Sequence, residues 1–199
     1  MTTAKGAARR AALLDAAETT LATGGHTALS LRAVADTAGV RLGHLQYYFP
    51  TRDSLVAEVL ARILQRSLDR VTEIPSARLD DTVQLLLSQQ TDEQLVRVFV
   101  ELWALAAHDE ATAATLRSFY RQYAALITAH ITTHAPDLSP AQRHARAEVF
   151  IALMEGSSLL RSGIAGTPSA ETDEVLVRVA VGVLRGEPRV GGELGGHRG

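Results

Sequence analysis

The stretch from Leu31 to Leu55 constrains this chain more than any other. It reads as a short helix opening at Leu31, a glycine turn, a second short helix ending in aromatics, and a capped helix after Pro50. Ala35 is small where the first two helices must approach closely. Gly39 stands where the turn asks for a left-handed backbone, which a residue with a Cβ resists. Val34, Ala38, Val40 and Leu45 supply apolar faces that fix the angle between the helices. Two helices joined by a short glycine-containing turn are the unit that presents a helix to the DNA major groove.

Composition narrows the remainder. The chain has 199 residues, 46% of them hydrophobic, which is enough for a substantial core in one domain or two small ones. Few prolines and long helical periodicities predict an all-α protein. The net charge is −2, so the chain as a whole is not a nonspecific nucleic-acid binder. Residues 1–53 carry Lys5, Arg9, Arg10, Arg32, Arg41 and Arg52 against Asp15, Glu18, Asp36 and Asp53, leaving a mildly basic head on an acidic body. Lys5 is the single lysine, so the arginines reflect compositional bias more than selection for guanidinium geometry. With no cysteine, disulfides, thiolate metal sites and cysteine nucleophiles are excluded. The run Leu95–Ala107 is broken by Arg97 and Glu101 and is too short to span a bilayer. Asp15 and Glu18 fall where a signal peptide needs apolar residues. The expectation is a soluble cytoplasmic protein with no membrane partner, nucleoid-associated when bound to DNA.

Nine helices follow from periodicity and end signals. Residues 1–6 read as a disordered arm. A first helix runs from about Ala7 to Ala22 and stops at Thr23-Gly-Gly25. Ser30 is the natural N-cap of the second, and the third covers about Leu42 to Tyr48. Pro50 disfavours helix at Phe49. Thr51, Asp53 and Ser54 open a fourth helix, Arg52 to about Thr72, with an apolar stripe of Val56, Leu60, Ile63, Leu64 and Leu68. Ile74-Pro-Ser76 breaks the chain. Beyond it come Leu79–Gln90, Asp92–His108, Glu110–His134, Ser139–Gly163 and Ala170–Arg185, with Asp92, Asp109, Ser139 and Ser169 as caps. The Asp92–His108 helix is apolar almost all round, which places it in the middle of a bundle. Glycine-rich residues 186–199 read as a disordered tail.

Within the third helix Leu42, Gly43, His44, Gln46 and Tyr47 are the outward, base-reading positions, while Leu45 packs inward. The Gln46 amide can pair with adenine through two hydrogen bonds, His44 can donate or accept, and Gly43 lets the backbone approach the groove. Ser30, Arg32, Tyr47, Tyr48, Thr51 and Arg52 carry donors suited to phosphate oxygens. Arg52 also lies at a helix N-terminus, where backbone N–H groups attract anions. Phe49 reads as core.

The run Ser30-Leu-Arg-Ala-Val-Ala-x-x-Ala-Gly-Val, followed by Gly43-x-Leu-x-x-Tyr-Phe-Pro-Thr-Arg-Asp-x-Leu55, is similar to the DNA-binding head of the TetR family of bacterial transcriptional regulators. The resemblance covers about residues 7–60. Glu101-Leu-Trp-Ala-Leu-Ala-Ala-His-Asp109 resembles the ligand domain of the betaine-pathway branch. The resemblance implies a homodimer that binds a pseudo-palindromic operator and lets go when a small molecule enters the body. By position it implies that Ser30 and Arg32 contact the backbone, that Gly43, His44 and Gln46 read bases, and that Tyr47, Tyr48 and Arg52 fix phosphates. Many members have a basic residue in place of Leu42, Thr or Ser in place of His44, and Tyr in place of Gln46, so the operator cannot be borrowed from relatives.

In the body, Phe99, Trp103, Phe119, Tyr120, Tyr123, Ile127, His130, Phe150 and Met154 are candidates to line an apolar pocket with polar tips. Taken singly, each of them reads more readily as core than as pocket lining. Leu153, Gly156 and Leu160, with Leu176, Val179, Ala180 and Val183, could form an isologous four-helix dimer interface. For an enzyme the best candidate is His130-x-x-x-His134, two imidazoles on one helix face. A metalloprotease would place Glu at position 131, which is Ile, and no third ligand stands at a convincing spacing. Catalytic residues, metal and cofactor are therefore all expected to be absent. The expected architecture is a helix-turn-helix head at 1–53 and a helical ligand-binding and dimerisation body at 54–185, with 54–72 connecting them. A ligand-released repressor is the leading function. The alternatives are a constitutive or activating DNA binder, or a helical sensor or enzyme with a His130/His134 metal site.

Overall fold

The computed structural model describes residues 4–72, 79–90 and 92–186, and among them there are nine α-helices and no strand. They are α1 (Ala4–Ala28), α2 (Leu31–Thr37), α3 (Leu42–Tyr48), α4 (Arg52–Thr72), α5 (Leu79–Gln89), α6 (Glu93–Ala106), α7 (Glu110–His134), α8 (Pro140–Arg161) and α9 (Ala170–Arg185). The expected Ile74-Pro-Ser76 break and most of the expected tail lie outside the described residues, as do Met1–Thr3 of the expected arm. The rest of that arm is a correction, because Ala4–Gly6 already belong to α1. Gly186 is likewise a cap rather than tail: at φ 74° its N–H closes α9 on the carbonyls of Gly182 and Val183.

Helix starts follow local chemistry. Each orphan N–H group at a helix start needs an acceptor, and short oxygen side chains supply it. Ser30 Oγ accepts from the Ala33 N–H at 3.1 Å, Asp92 from Leu95 at 3.1 Å, and Asp109 from Thr112 at 2.7 Å. Ser139 and Gln142 cap each other reciprocally ahead of Pro140, and Ser169 accepts from the Thr172 N–H. At the start of α4, Thr51 Oγ1 accepts from the Ser54 N–H while Ser54 Oγ accepts from the Thr51 N–H.

One continuous core joins head and body. It runs from Leu13, Leu14, Val34, Leu45 and Phe49 through Leu55, Val59 and Ile63 of α4 to Leu102, Phe119, Ile131, Phe150 and Leu184. Each such side chain is worth about 1.5–3 kcal/mol in burial, so α4 is a shared wall rather than a free linker. In the body α7 packs on α4, α6, α8 and α9, and α5 packs on α8 and α9. α6 is not wrapped on all sides as its apolar sequence predicts. It lies between α1 and α7, with Val96, Val98 and Leu102 buried but Leu95, Phe99, Val100, Trp103 and Leu105 half-buried. Among the described residues no helix is long and apolar enough to cross a membrane.

Candidate nucleic-acid interface and body cavity

The turn before α3 forms as its sequence requires. Gly39 sits at φ +63°, and a Cβ there would meet nothing within 4 Å, so the demand is on backbone conformation and not on space. Val34, Ala35 and Leu45 are buried beneath it. This splits α3 into an inner face and an outer face. Gly43, His44, Gln46 and Tyr47 point outward, and the Tyr47 side chain is 81% exposed, an unusual state for an aromatic with nothing to cover it. Leu42 departs from expectation: it is half-buried. Tyr48 is half-buried too, packed against the core, with its ring 5.1 Å from Tyr47 and 5.7 Å from His44.

Ser30, Arg32, Thr51 and Arg52 surround this face and are exposed. Two of them are partly committed. The Ser30 and Thr51 oxygens cap helices, which leaves their O–H groups free to donate. Arg52 is spent more heavily, because its Nε–H donates to the Leu29 carbonyl at 2.8 Å and its Nη2 to the His26 carbonyl at 2.9 Å. It braces the α1–α2 turn against α4. The structure adds residues that the sequence reading passed over. Lys5 and Arg9 on α1 edge a shallow hollow that also holds His44 and Tyr48, and Arg9 Nε–H donates to His44 Nε2 at 3.4 Å. Arg41, at the start of α3, is exposed. Their basic character was visible in the sequence, but their side of the head was not.

A second feature the sequence did not disclose joins head to body. Glu101 of α6 takes the His26 backbone N–H at 2.7 Å and the ring Nδ1–H at 2.7 Å on the same oxygen. Burial pushes the Glu101 carboxyl up, but the His26 backbone bond, ring bond and charge together hold it below the usual carboxylate range. Gly25, at φ 71° and ψ 178°, turns the chain so that its backbone lies against this carboxylate. The ion pairs Arg10–Glu58, Arg62–Asp15 and Arg66–Glu18 add a second seam between α1 and α4.

The candidate pocket residues divide among three places. Phe99, Phe119, Tyr123 and Met154 line a cavity of about 110 Å³ between α4, α5, α6, α7 and α8. Trp103 and Tyr120 stand behind it, ring against ring with Phe99 and Phe119, and the Trp103 indole N–H donates to the Tyr120 hydroxyl at 2.9 Å. Ile127, His130 and Phe150 line a separate cavity of about 340 Å³ with residues of α4, α5 and α9. The first cavity also holds groups absent from the expected set: Ser67, Arg70, Gln90, Glu155 and Ser158. Glu155 follows Ile151 by four residues and so shares its buried side of α8, which was the available signal. His130 and His134 stack with ring centroids 4.7 Å apart, and His134 Nδ1–H donates to the His130 carbonyl. Among the described residues no third His, Asp or Glu joins them in a metal-holding group. Burial, then the neighbouring His134, lowers the His130 pKa.

On the outer side of α8 and α9, Leu160 and Val179 are exposed, Gly156 is exposed, and Leu153, Leu176 and Val183 are half-buried. Val149, Ile164 and Val175 extend this apolar face. Ala180 does not belong to it. At 0% exposure it is packed into the chain's own core, about 100° around the helix from Val179.

Comparisons with known proteins bear on both halves. The family described as bacterial regulatory proteins, tetR family, matches residues 13–59, and the one described as BetI-type transcriptional repressor, C-terminal, matches residues 75–182. A protein of Xanthobacter autotrophicus, described as an uncharacterized HTH-type transcriptional regulator in the dhlA 5' region, is 33% identical over 184 residues, spanning 87% of this chain and 89% of that one. The HTH-type transcriptional repressor KstR of Rhodococcus jostii is 39% identical over 83 residues, 42% of this chain and 39% of that one. Among solved structures, Salmonella enterica GusR superposes with a TM-score of 0.78 at 18% identity, covering 93% of this chain and 100% of that chain. A transcriptional regulator from Rhodococcus sp. Rha1 superposes with a TM-score of 0.74 at 22% identity, covering 89% and 96%. At such identities these two likenesses speak for the fold alone.

Proposed function

Because the chain belongs to the TetR family of bacterial transcriptional regulators, which bind DNA and are not enzymes, we propose that it is a homodimeric repressor released from a pseudo-palindromic operator by a small molecule held in the body. The observation that carries this reading is the split of α3, with Leu45 fixed inside and Gly43, His44, Gln46 and Tyr47 exposed along one side. Gly43, His44 and Gln46 meet base edges, with Gln46 best matched to adenine. Tyr47, Tyr48, Arg32, Ser30 and Thr51 hold phosphates, joined by Lys5, Arg9 and Arg41. The exposed apolar face of α8 and α9 pairs with its copy in an isologous four-helix contact, setting two heads one helical turn of DNA apart, about 34–36 Å.

Release is a shift of populations. A ligand that binds better when the heads do not fit successive grooves drains the DNA-bound state, and one with equal affinity for both states shifts nothing. α6 offers the short path, since it lines the cavity with Phe99 and grips the head through Glu101 two residues later. In vitro selection with the full chain is expected to return an inverted repeat. Gln46→Ala is expected to relax selectivity at one base pair per half-site by about 1–3 kcal/mol. A folded dimer without sequence-specific binding at moderate salt overturns the reading.

A further inference from the structure

The Glu155 carboxyl is a polar group of the body that the reading so far leaves without a role. It lines the 110 Å³ cavity, whose wall is otherwise mostly Leu86, Leu95, Val96, Phe99, Phe119 and Met154. Burying a carboxyl among such residues is costly unless a cation or several donors meet it. Here it has one donor. The Tyr120 hydroxyl, which accepts from Trp103, directs its own O–H toward Glu155 and keeps its proton. The Tyr123 side chain is 7% exposed, and among the described residues its hydroxyl has no hydrogen-bond partner.

The other polar groups of the cavity wall are already engaged. Ser67 Oγ donates to the Ile63 carbonyl, Gln90 is held by Met154 and Ser157, and Ser158 Oγ donates to the Glu155 backbone carbonyl. The charged and titratable groups around the cavity are Arg70 from α4, Tyr120 and Tyr123 from α7, and Glu155 itself; α5 and α6 present none. Arg70 does not hold the carboxylate. Burial pushes Glu155 up to about 7, and only Tyr120 acts the other way.

We propose that this cavity takes a small amphiphilic amine whose protonated nitrogen donates N–H bonds to the Glu155 carboxylate and the Tyr123 hydroxyl oxygen, with its apolar part against Phe99 and Phe119. The inference rests on the reading of this cavity as the effector site. An ammonium supplies both the missing charge and the missing donors, and the aromatic faces favour a cation. A carboxylate ligand would set two acids side by side. An alcohol leaves the charge unpaired, and a quaternary ammonium brings charge without N–H donors. Size agrees with a short body, since a cavity of about 150 Å³ holds benzene.

The test uses the full chain and four probes of similar size: n-butylamine, 1-butanol, butyrate and tetramethylammonium. At ten times its Kd, n-butylamine is expected to raise Tm by about 3–6 °C, with the other three giving less than a quarter of that shift. Its affinity is expected to rise up to tenfold per pH unit between pH 5 and 7, as the carboxylate forms, and to level off above that. Glu155→Gln should abolish this pH dependence and weaken binding more than tenfold. Tyr123→Phe should weaken it severalfold and keep the pH dependence. Equal shifts with butanol, butyrate or tetramethylammonium overturn the proposal, as does undiminished binding by Glu155→Gln. Operator binding by the wild-type chain is measured in parallel. Absence of operator binding by the ligand-free chain refutes the regulator reading, whereas operator binding with no response to the amine refutes only this proposal.

Discussion

Replacing Gly25 by alanine tests whether the joint between head and body is held by backbone geometry. At φ 71° and ψ 178° the residue occupies a region that only glycine enters freely. Forcing an L-side chain there costs roughly 1–3 kcal/mol. The new Cβ would also lie 3.0 Å from both Glu101 carboxylate oxygens, so relaxing the φ angle is opposed by the α6 contact. Equilibrium denaturation should therefore show a loss of about 1–3 kcal/mol, and for a chain of this size Tm should fall by roughly 2–12 °C. Gly43→Ala is the matched control. Gly43 is helical, without a positive φ, and a Cβ there meets nothing within 4 Å, so the same substitution should gain up to about 1 kcal/mol. The cost at Gly25 should persist in a Glu101→Ala background, because the backbone carries most of it. A Gly25→Ala variant within 0.5 kcal/mol of the parent refutes the reasoning.

Arg52→Ala should lower stability by about 1–2 kcal/mol through loss of its bonds to the Leu29 and His26 carbonyls, while leaving the salt dependence of operator binding unchanged. A salt slope reduced by about one, with stability intact, would instead return Arg52 to the phosphate contacts. Glu101→Gln should be less stable than the parent at pH 7. Because the folded carboxyl titrates below its unfolded value, its contribution is present above about pH 4.5 and lost as pH falls through the folded value, so the two denaturation curves should converge in acid. Leu160→Glu, on the exposed face of α8, should give a folded monomer by light scattering; an unchanged dimer would move the interface elsewhere.

What the sequence disclosed was local. The turn at Gly39, the inward Leu45 and the caps Ser30, Asp92, Asp109, Ser139 and Ser169 all depend on partners within a few residues, and each formed as predicted. The Glu101 grip on His26 joins residues 75 apart, and no period or cap signal announces such a contact. Ala180 shows the same boundary from the other side. Its helix was predicted correctly, but a residue adjacent to Val179 can point either out or in, and only packing against neighbouring helices decides. Glu155 lay between these cases: its spacing placed it on the buried side of α8, yet nothing local said that it would face a cavity.

The joint at Gly25, His26 and Glu101 touches neither the outward face of α3 nor the wall of the 110 Å³ cavity. Changes in operator preference and changes in ligand preference can therefore accumulate on either side of it without disturbing it. The same separation sets a rule for transplantation. A head moved onto a different body keeps its seat only if the glycine turn, the backbone N–H beside it and a carboxylate at the facing position of the sixth helix travel as one set.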